Sequence, residues 1–583
     1  MKSTASHFGL LLILTLLLFI QSAFPQDVTT VRGVPGSKLD NYLTRITPFG
    51  FSGALLVAKN GEIILNKGYG AAIRSSETPN DANTIFSVGS ITKQFTAAAI
   101  LKLESRGKLR VTDSLGTYFK DVPPEKQSIT IHNLLTHTSG IVQDAGGDYE
   151  MVGRDEAVRR ILALPMEFKP GEQFGYSNSG YSLLAAIVEQ VSGLSYEQFL
   201  RDSLFVPSGM MATGYRIPDW KSHVVAHWYV GEKDNLTPLQ RQYPGWFLVG
   251  NGGILSTPGD MYRWHLALLG DRILPHEEKV KLFTPFLDEY AYGWDVIKSP
   301  HGLLIQHNGG SDLGNSAEIR RYIDSNAVSI IFCNQFYAGN GLVDAVRRQI
   351  QDLIFGGDVP LPPSVHKLKT TAFKQYTGQF LLPSGGRFTV LEHQGALAVQ
   401  ASGQDAISLL TFPEDIDTTQ INEIQFQIKH VFAAVLDGDY EPLRGVLANA
   451  ADRLSRVKEL IQSQFADSRD RTGAVTSIDI IYTMPSSIQP GAFETVVAFR
   501  GNTGSFYLRY ASRDGKNIGM GTLQVVQPPM LTIQPIADND FVGFDLRTGH
   551  RVTMTFSIDM MAQATSLTFT QMKRNIVATR IEN

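Results

Sequence analysis

Ser90-Ile91-Thr92-Lys93 is the stretch of this chain whose residue types and spacing could do chemistry most directly. A serine hydroxyl is a weak nucleophile near its own high pKa, and a lysine three residues later on one helix can reach it to take its proton. The pair is therefore a candidate for acyl transfer. Phe86-Ser87-Val88-Gly89 precedes it and Gln94-Phe95-Thr96-Ala97-Ala98-Ala99-Ile100 follows, so Ser90 is predicted to open a helix whose next turns are apolar and buried. Burial disfavours the ammonium and lowers a lysine pKa, as a base working near neutral pH requires. Spacing alone proves little, because Ser455-Arg456-Val457-Lys458 repeats it among recurring charges, where a solvated helix would leave the lysine protonated.

Two further groupings could act with that pair. In Tyr176-Ser177-Asn178 the tyrosine could pass a proton between nucleophile and leaving group, and the asparagine amide could hold a substrate carbonyl or the lysine. Ser177-Asn178-Ser179-Gly180 is also good turn chemistry, which is the plainer reading. His307-Asn308-Gly309-Gly310 follows the strand-like Leu303-Leu304-Ile305-Gln306. Glycines there would let a substrate approach the strand edge, the Gly310 N–H could join the Ser90 N–H in an oxyanion hole, and His307 would add a titratable donor. A histidine at a strand end is otherwise a side chain that simply meets water.

The elements that must position these groups are legible in outline. Gly53–Leu65 reads as two strands joined by an Asn-Gly turn at Asn60-Gly61. Helix patterns run over Asp155–Leu164 and Tyr181–Leu200, strand patterns return at Gly302–Gln306 and Ala327–Asn334, and Leu342–Ile354 reads as a closing helix. Strands at both ends with helices between imply one sheet built from both ends of a domain. The proline-rich Gly356–Pro363 closes it. The resulting division is a leader over 1–26, a first domain over 27–357, a linker over 358–370, a small β-barrel from 371–420 and 536–583, and an α+β module inserted at 421–535. In that module helices are expected around Glu423–Leu436 and Tyr440–Ala466, with strands at Val475–Thr483, Phe493–Arg500 and Ser505–Ala511.

Composition excludes several classes. Of 583 residues 43% are hydrophobic and 19% charged, ordinary for folded domains, and a net charge of −4 with no basic run gives no reason to expect nucleic acid. Small molecules or peptides are the expected partners. Lys2 followed by the apolar run Phe8–Ile20 has the form of a signal peptide cleaved near Ala23–Gln26, so a periplasmic or secreted protein without a stable membrane span is expected. Cys333, the only cysteine, sits in Ser329-Ile330-Ile331-Phe332-Cys333, a buried-strand pattern, and reads as core. No metal or other cofactor is expected.

Taken together, the three groupings resemble the serine β-lactamase and penicillin-recognising hydrolases, most closely the class C-like branch with its carboxypeptidases, D-aminopeptidases and esterases. The resemblance spans roughly residues 35–355 and includes Leu134-Leu135-Thr136-His137-Thr138-Ser139-Gly140, Phe174–Tyr181 and Gly252-Gly253-Ile254-Leu255-Ser256-Thr257. It implies an α+β fold: an α/β sandwich with an antiparallel sheet and an all-helical lobe, the site lying between them. It also implies roles. Ser90 would be acylated, Lys93 would be its base, and Tyr176 would share proton transfer. Asn178, His307 and Gly309 would bind substrate, and Ser90 and Gly310 would supply the oxyanion N–H groups. His307 stands where most of the family has a lysine, replacing a fixed charge with a group only partly protonated near pH 7. That favours a peptidase or esterase over an efficient β-lactamase. The tail resembles β-barrel domains appended to some of these hydrolases, expected to gate the site, select substrates or build homo-oligomers. The alternative function is a β-lactam or peptide sensor that is acylated without fast turnover.

Overall fold

The computed structural model describes residues 28–581 except 338–339, 367–369, 394, 413–417, 448–453, 456, 460, 463–464, 467–471, 487–490, 524–525, 527 and 572–573. The leader expected over 1–26 lies outside the described residues, as does much of the helix expected over Tyr440–Ala466.

Asn60 and Gly61 both take positive φ, 53° and 79°, and turn Gly53–Lys59 back onto Glu62–Tyr69 as an Asn-Gly hairpin should. Around them forms a seven-stranded antiparallel sheet in the order 30–31, 62–69, 53–59, 327–333, 316–322, 302–310, 295–299. Strands 53–59 and 327–333 are largely apolar because both faces are covered. Ala54, Leu56, Val328, Ile330 and Phe332 face the helical lobe, and Leu55, Val57, Ile331 and Cys333 face helices Gly33–Ile46 and Leu342–Ile354. Alternation within a continuous apolar run is what a doubly covered sheet demands. Cys333 is one of the residues buried on that second face.

The helical lobe is inserted between the strands. Its central helix, Thr92–Ser105, buries residues on every side and packs Phe95 against Phe205 and Trp264 at ring-centroid distances of 5.0 and 5.1 Å. The single helix expected over Tyr181–Leu200 is two, Asn178–Ser192 and Tyr196–Leu200, because Gly193 adopts the left-handed conformation that ends the first.

Beyond the linker, eight strands close a barrel: 378–381, 387–393, 396–402, 530–535, 540–544, 551–558, 564–571 and 574–581. The inserted module carries helix Thr418–Leu436 against a four-stranded antiparallel sheet over 475–485, 493–501, 505–513 and 516–523. The insert was expected to run to 535, but Met530–Pro535 pairs with Leu397–Gln400 as a barrel strand, so the module ends before it. The barrel continues the second core of the first domain: Val542, Phe544 and Leu546 join Tyr42, Leu43 and Phe49, with the Phe49 and Phe544 rings 5.9 Å apart. Gln349 Nε2 donates to the carbonyls of Leu546 and Arg547 at 3.0 and 2.9 Å across this contact. Among the described residues no helix is long and apolar enough to cross a membrane.

Candidate active site

Ser90 lies in a single turn, Gly89–Ile91, that leads into helix Thr92–Ser105, as the sequence predicts. Gly89 has φ 52°, and a Cβ there would meet Gly310 N at 2.3 Å. From the other side, a Cβ on Gly309 would lie 2.2 Å from the Val88 carbonyl and 2.5 Å from Ser90 N. The two backbones are thus pressed together with no room for side chains, and this is why glycine occupies both positions. The end of strand Gly302–Gly310 comes in this way against the start of the Ser90 helix. The helix start is tied further by the Ile254 N–H, which donates to Thr92 Oγ1 at 3.2 Å.

Lys93 is fully buried, with Nζ 3.1 Å from Ser90 Oγ, 2.7 Å from Asn178 Oδ1 and 2.8 Å from the Asn251 carbonyl. Burial lowers its pKa to about 7, opposed by Asp144 and Asp148. The neutral amine has two N–H groups and one lone pair. The two carbonyl oxygens can only accept, so they take both N–H groups and leave the lone pair to the Ser90 hydroxyl. The ammonium, with three donors and no lone pair, would have nothing to accept a proton with. Nζ also lies 4.7 Å from the Tyr176 ring centroid.

Tyr176 and Asn178 flank Ser177, which caps helix Asn178–Ser192 by accepting from the Gly180 N–H at 2.9 Å and donating to the Val142 carbonyl at 2.9 Å. The turn chemistry and the site chemistry of this stretch are therefore the same feature. Burial raises the Tyr176 pKa well above that of a free phenol, against a smaller downward pull from the Ser90 side chain, so at neutral pH it is a proton-bearing hydroxyl. Asn178 Nδ2 donates to Asp144 Oδ1 at 2.8 Å, fixing which amide atom faces Lys93.

His137 has no role legible in the sequence alone. It is buried at φ 57°, its ring lies 4.3 Å from that of Tyr176, and its Nδ1 accepts the Ser177 N–H at 3.0 Å. The proton of the neutral ring is therefore on Nε2. Burial first, then Lys93 and His307, hold its pKa well below the usual imidazole range.

His307 differs from expectation. Its Nδ1 lies 2.6 Å from the Asn308 carbonyl and must donate to it, so Nε2 accepts from the Tyr290 hydroxyl at 3.0 Å. Burial, with Lys93 adding to it, lowers the pKa to about 3. Instead of a partly charged donor near pH 7, the third grouping contributes a neutral imidazole packed against Tyr290.

The cleft at Ser90, about 60 Å³, is lined by Asn178, Gly310, Trp228, Leu248 and Asp148 among others. Asn251, Asp148, Trp228 and Tyr290 escape a sequence reading because each is far along the chain from Ser90 and Lys93. Asn251 had one local signal, its place directly before Gly252-Gly253. Among the described residues no group of three His, Cys, Asp or Glu is placed to hold a metal ion.

The beta-lactamase family model matches residues 49–352, more than half of the chain, and the chain belongs to this family of serine hydrolases, which act on amides and esters. Among its relatives, penicillin-binding protein 4* of Bacillus subtilis (strain 168) is 29% identical over 395 residues, covering 62% of this chain and 87% of the relative. The putative penicillin-binding protein PbpX of the same organism is 36% identical over 322 residues, covering 54% of this chain and 78% of the relative. The octameric penicillin-binding protein homologue from Pyrococcus abyssi shares the fold over 94% of this chain and 100% of its own, with a TM-score of 0.50 and 19% identity.

Proposed function

We propose that the protein is an exported hydrolase that cleaves an amide or ester through an acyl-enzyme on Ser90. The observation that carries this reading is Lys93. A fully buried amine with its N–H groups engaged by Asn178 and Asn251 and its lone pair on Ser90 Oγ is a base poised near neutral pH.

In this mechanism Ser90 Oγ attacks the substrate carbonyl as its proton passes to Lys93 Nζ. The carbonyl oxygen gains the negative charge and accepts hydrogen bonds from the Ser90 and Gly310 N–H groups. The Tyr176 hydroxyl gives its proton to the departing amine or alcohol and regains one from Lys93, so the bond to the leaving group breaks with neutral products. Water then enters, loses a proton to the same Tyr176–Lys93 pair and attacks the ester carbonyl, and Ser90 Oγ leaves with that proton. Asn178 holds Lys93 throughout.

Ser90→Ala should lower turnover of p-nitrophenyl acetate by a factor on the order of a million, and intact-protein mass spectrometry should find the acyl group on the wild type only. Activity that survives the substitution refutes the mechanism, and an adduct that persists for hours without turnover favours a sensor. Export is tested by the N-terminal sequence of protein recovered outside the cytoplasm. Self-association through the barrel and its insert belongs to the same proposal, and light scattering on the full chain measures it.

A further inference from the structure

A neutral amine serves as base only if its lone pair faces the hydroxyl it is to deprotonate, and at Lys93 this turns on one amide. Nζ lies 3.1 Å from Ser90 Oγ, 2.7 Å from Asn178 Oδ1 and 2.8 Å from the Asn251 carbonyl. The Asn251 carbonyl can only accept, so one N–H is committed to it. Asn178 is different, because an amide turned end for end offers NH2 where it offered oxygen. Its Nδ2 would then donate to Lys93 and occupy the lone pair. Lys93 would turn its second N–H to Ser90 Oγ, and the Ser90 proton would have no acceptor there. Both arrangements keep Nζ fully engaged, so these contacts alone do not choose between them.

Asp144 makes the choice. Asn178 is half-buried, and its Nδ2 donates to Oδ1 of the exposed Asp144 at 2.8 Å. A carboxylate has no donor, so it holds the NH2 end of the amide and repels the carbonyl end. The segment that presents it is tied to the start of helix Asn178–Ser192. Ser177 Oγ donates to the Val142 carbonyl at 2.9 Å, and the Ser179 N–H and Oγ donate to that of Gln143 at 3.0 and 3.2 Å. Asp144 and Asn178 thus stand on one anchored unit.

We infer that Asp144 is a positioning residue that, through Asn178, keeps the lone pair of Lys93 on the Ser90 hydroxyl. The inference rests on the acyl-enzyme reading above and adds to it the group that orients the base.

The Asp144 charge has a second, opposite effect. Among the described residues, Lys93 is faced by the rings of Tyr176 and Tyr181, 4.7 and 5.6 Å from Nζ, and by the imidazoles of His137 and His307, all four neutral at pH 7. The charged groups acting on it are the carboxylates of Asp144 and Asp148, which favour the ammonium against burial. Removing the Asp144 charge therefore makes the free amine more abundant while unlocking the amide that aims it.

The test follows kcat for p-nitrophenyl acetate on the full chain across its acid limb and plateau. Asp144 is replaced by Asn, which donates and accepts, by Lys, which only donates, and by Glu, which only accepts. Asp144→Asn should move the acid limb down from about 7 by about half a pH unit, and Asp144→Lys by about one. The plateau should nevertheless fall, about two- to tenfold with Asn and tenfold or more with Lys, with KM within about twofold of wild type. Asp144→Glu should keep limb and plateau near wild type, which shows that the site tolerates substitution. A plateau that holds or rises as the limb moves down, a loss that Glu shares with Asn and Lys, or an effect confined to KM overturns the inference. Absence of Ser90-dependent hydrolysis of p-nitrophenyl acetate in the wild type would instead refute the acyl-enzyme reading, and the inference with it.

Discussion

Replacing Gly309 by alanine tests whether the contact between strand and helix builds the oxyanion site. The added methyl would stand 2.2 Å from the Val88 carbonyl oxygen and 2.5 Å from Ser90 N, both backbone atoms that cannot swing aside. Gly309 is not among the residues at positive φ, so the penalty is purely one of space. Moving the oxygen contact out to 3.0 Å requires the strand end to retreat by about 0.8 Å, and misplacement on the order of 1 Å can cost a hundredfold in rate. Because Gly310 follows directly, its N–H retreats as well, and loss of one oxyanion donor costs about 100–1000-fold in kcat. The expected result is a fall of that size in kcat for p-nitrophenyl acetate, with far-UV circular dichroism unchanged. Gly61→Ala is the control: at φ 79° with nothing near its Cβ, it adds backbone strain of roughly 1–2 kcal/mol far from Ser90 and should leave kcat alone. A folded Gly309→Ala protein with kcat within about threefold of wild type would sink the argument.

Other outcomes follow from the site and from the core beneath the sheet. Acylation should rise with pH through about 7 as Lys93 loses its proton. Its folded pKa lies below the unfolded value of about 10.4, so the unfolded chain binds more protons between these limits, and this group's contribution to stability falls as pH drops from ~10 to ~7. Lys93→Met should abolish acylation and raise the urea midpoint at pH 7, and an unchanged midpoint would count against a buried, depressed lysine. His137→Asn keeps a residue tolerant of φ 57° but removes the ring against Tyr176, so kcat should fall about tenfold with KM little changed; an unaltered kcat, or a loss expressed in KM alone, would show that the ring does not position Tyr176. Phe544→Ala should destabilise the chain by roughly 3–5 kcal/mol and lower the unfolding midpoint of the catalytic domain as well as the barrel, followed by tryptophan fluorescence, because the ring packs on Phe49.

Local chemistry was legible in the sequence and long-range chemistry was not. Ser90 and Lys93 meet through helix geometry, Asn60-Gly61 turns a hairpin by its own conformational preference, and Leu342–Ile354 shows its apolar stripe in the periodicity of its residues. The charge state of His307 depends on burial and then on Lys93, and its ring orientation on Tyr290, none of which can be read from its neighbours along the chain. Lys516–Leu523, rich in glycine, has no strand pattern of its own and pairs because Tyr507–Arg513 offers it an edge. Likewise Met530–Pro535 borders the insert in sequence, but the barrel's open edge at Leu397–Gln400 claims it. The repeated motif at Ser455 and Lys458 marks the same boundary: both side chains are exposed, and Lys458 rests 5.0 Å from the Tyr440 ring centroid.

The shared core beneath the sheet sets where this molecule can be divided. The family match ends at 352, yet Val542, Phe544 and Leu546, nearly two hundred residues later, cover apolar side chains of the catalytic domain. A chain cut at the linker would present that face to water and lose the two carbonyls that accept from Gln349 Nε2. The segment the family model matches is thus shorter than the unit that packs as one core. A soluble minimal enzyme would have to keep the barrel or replace that face with polar residues.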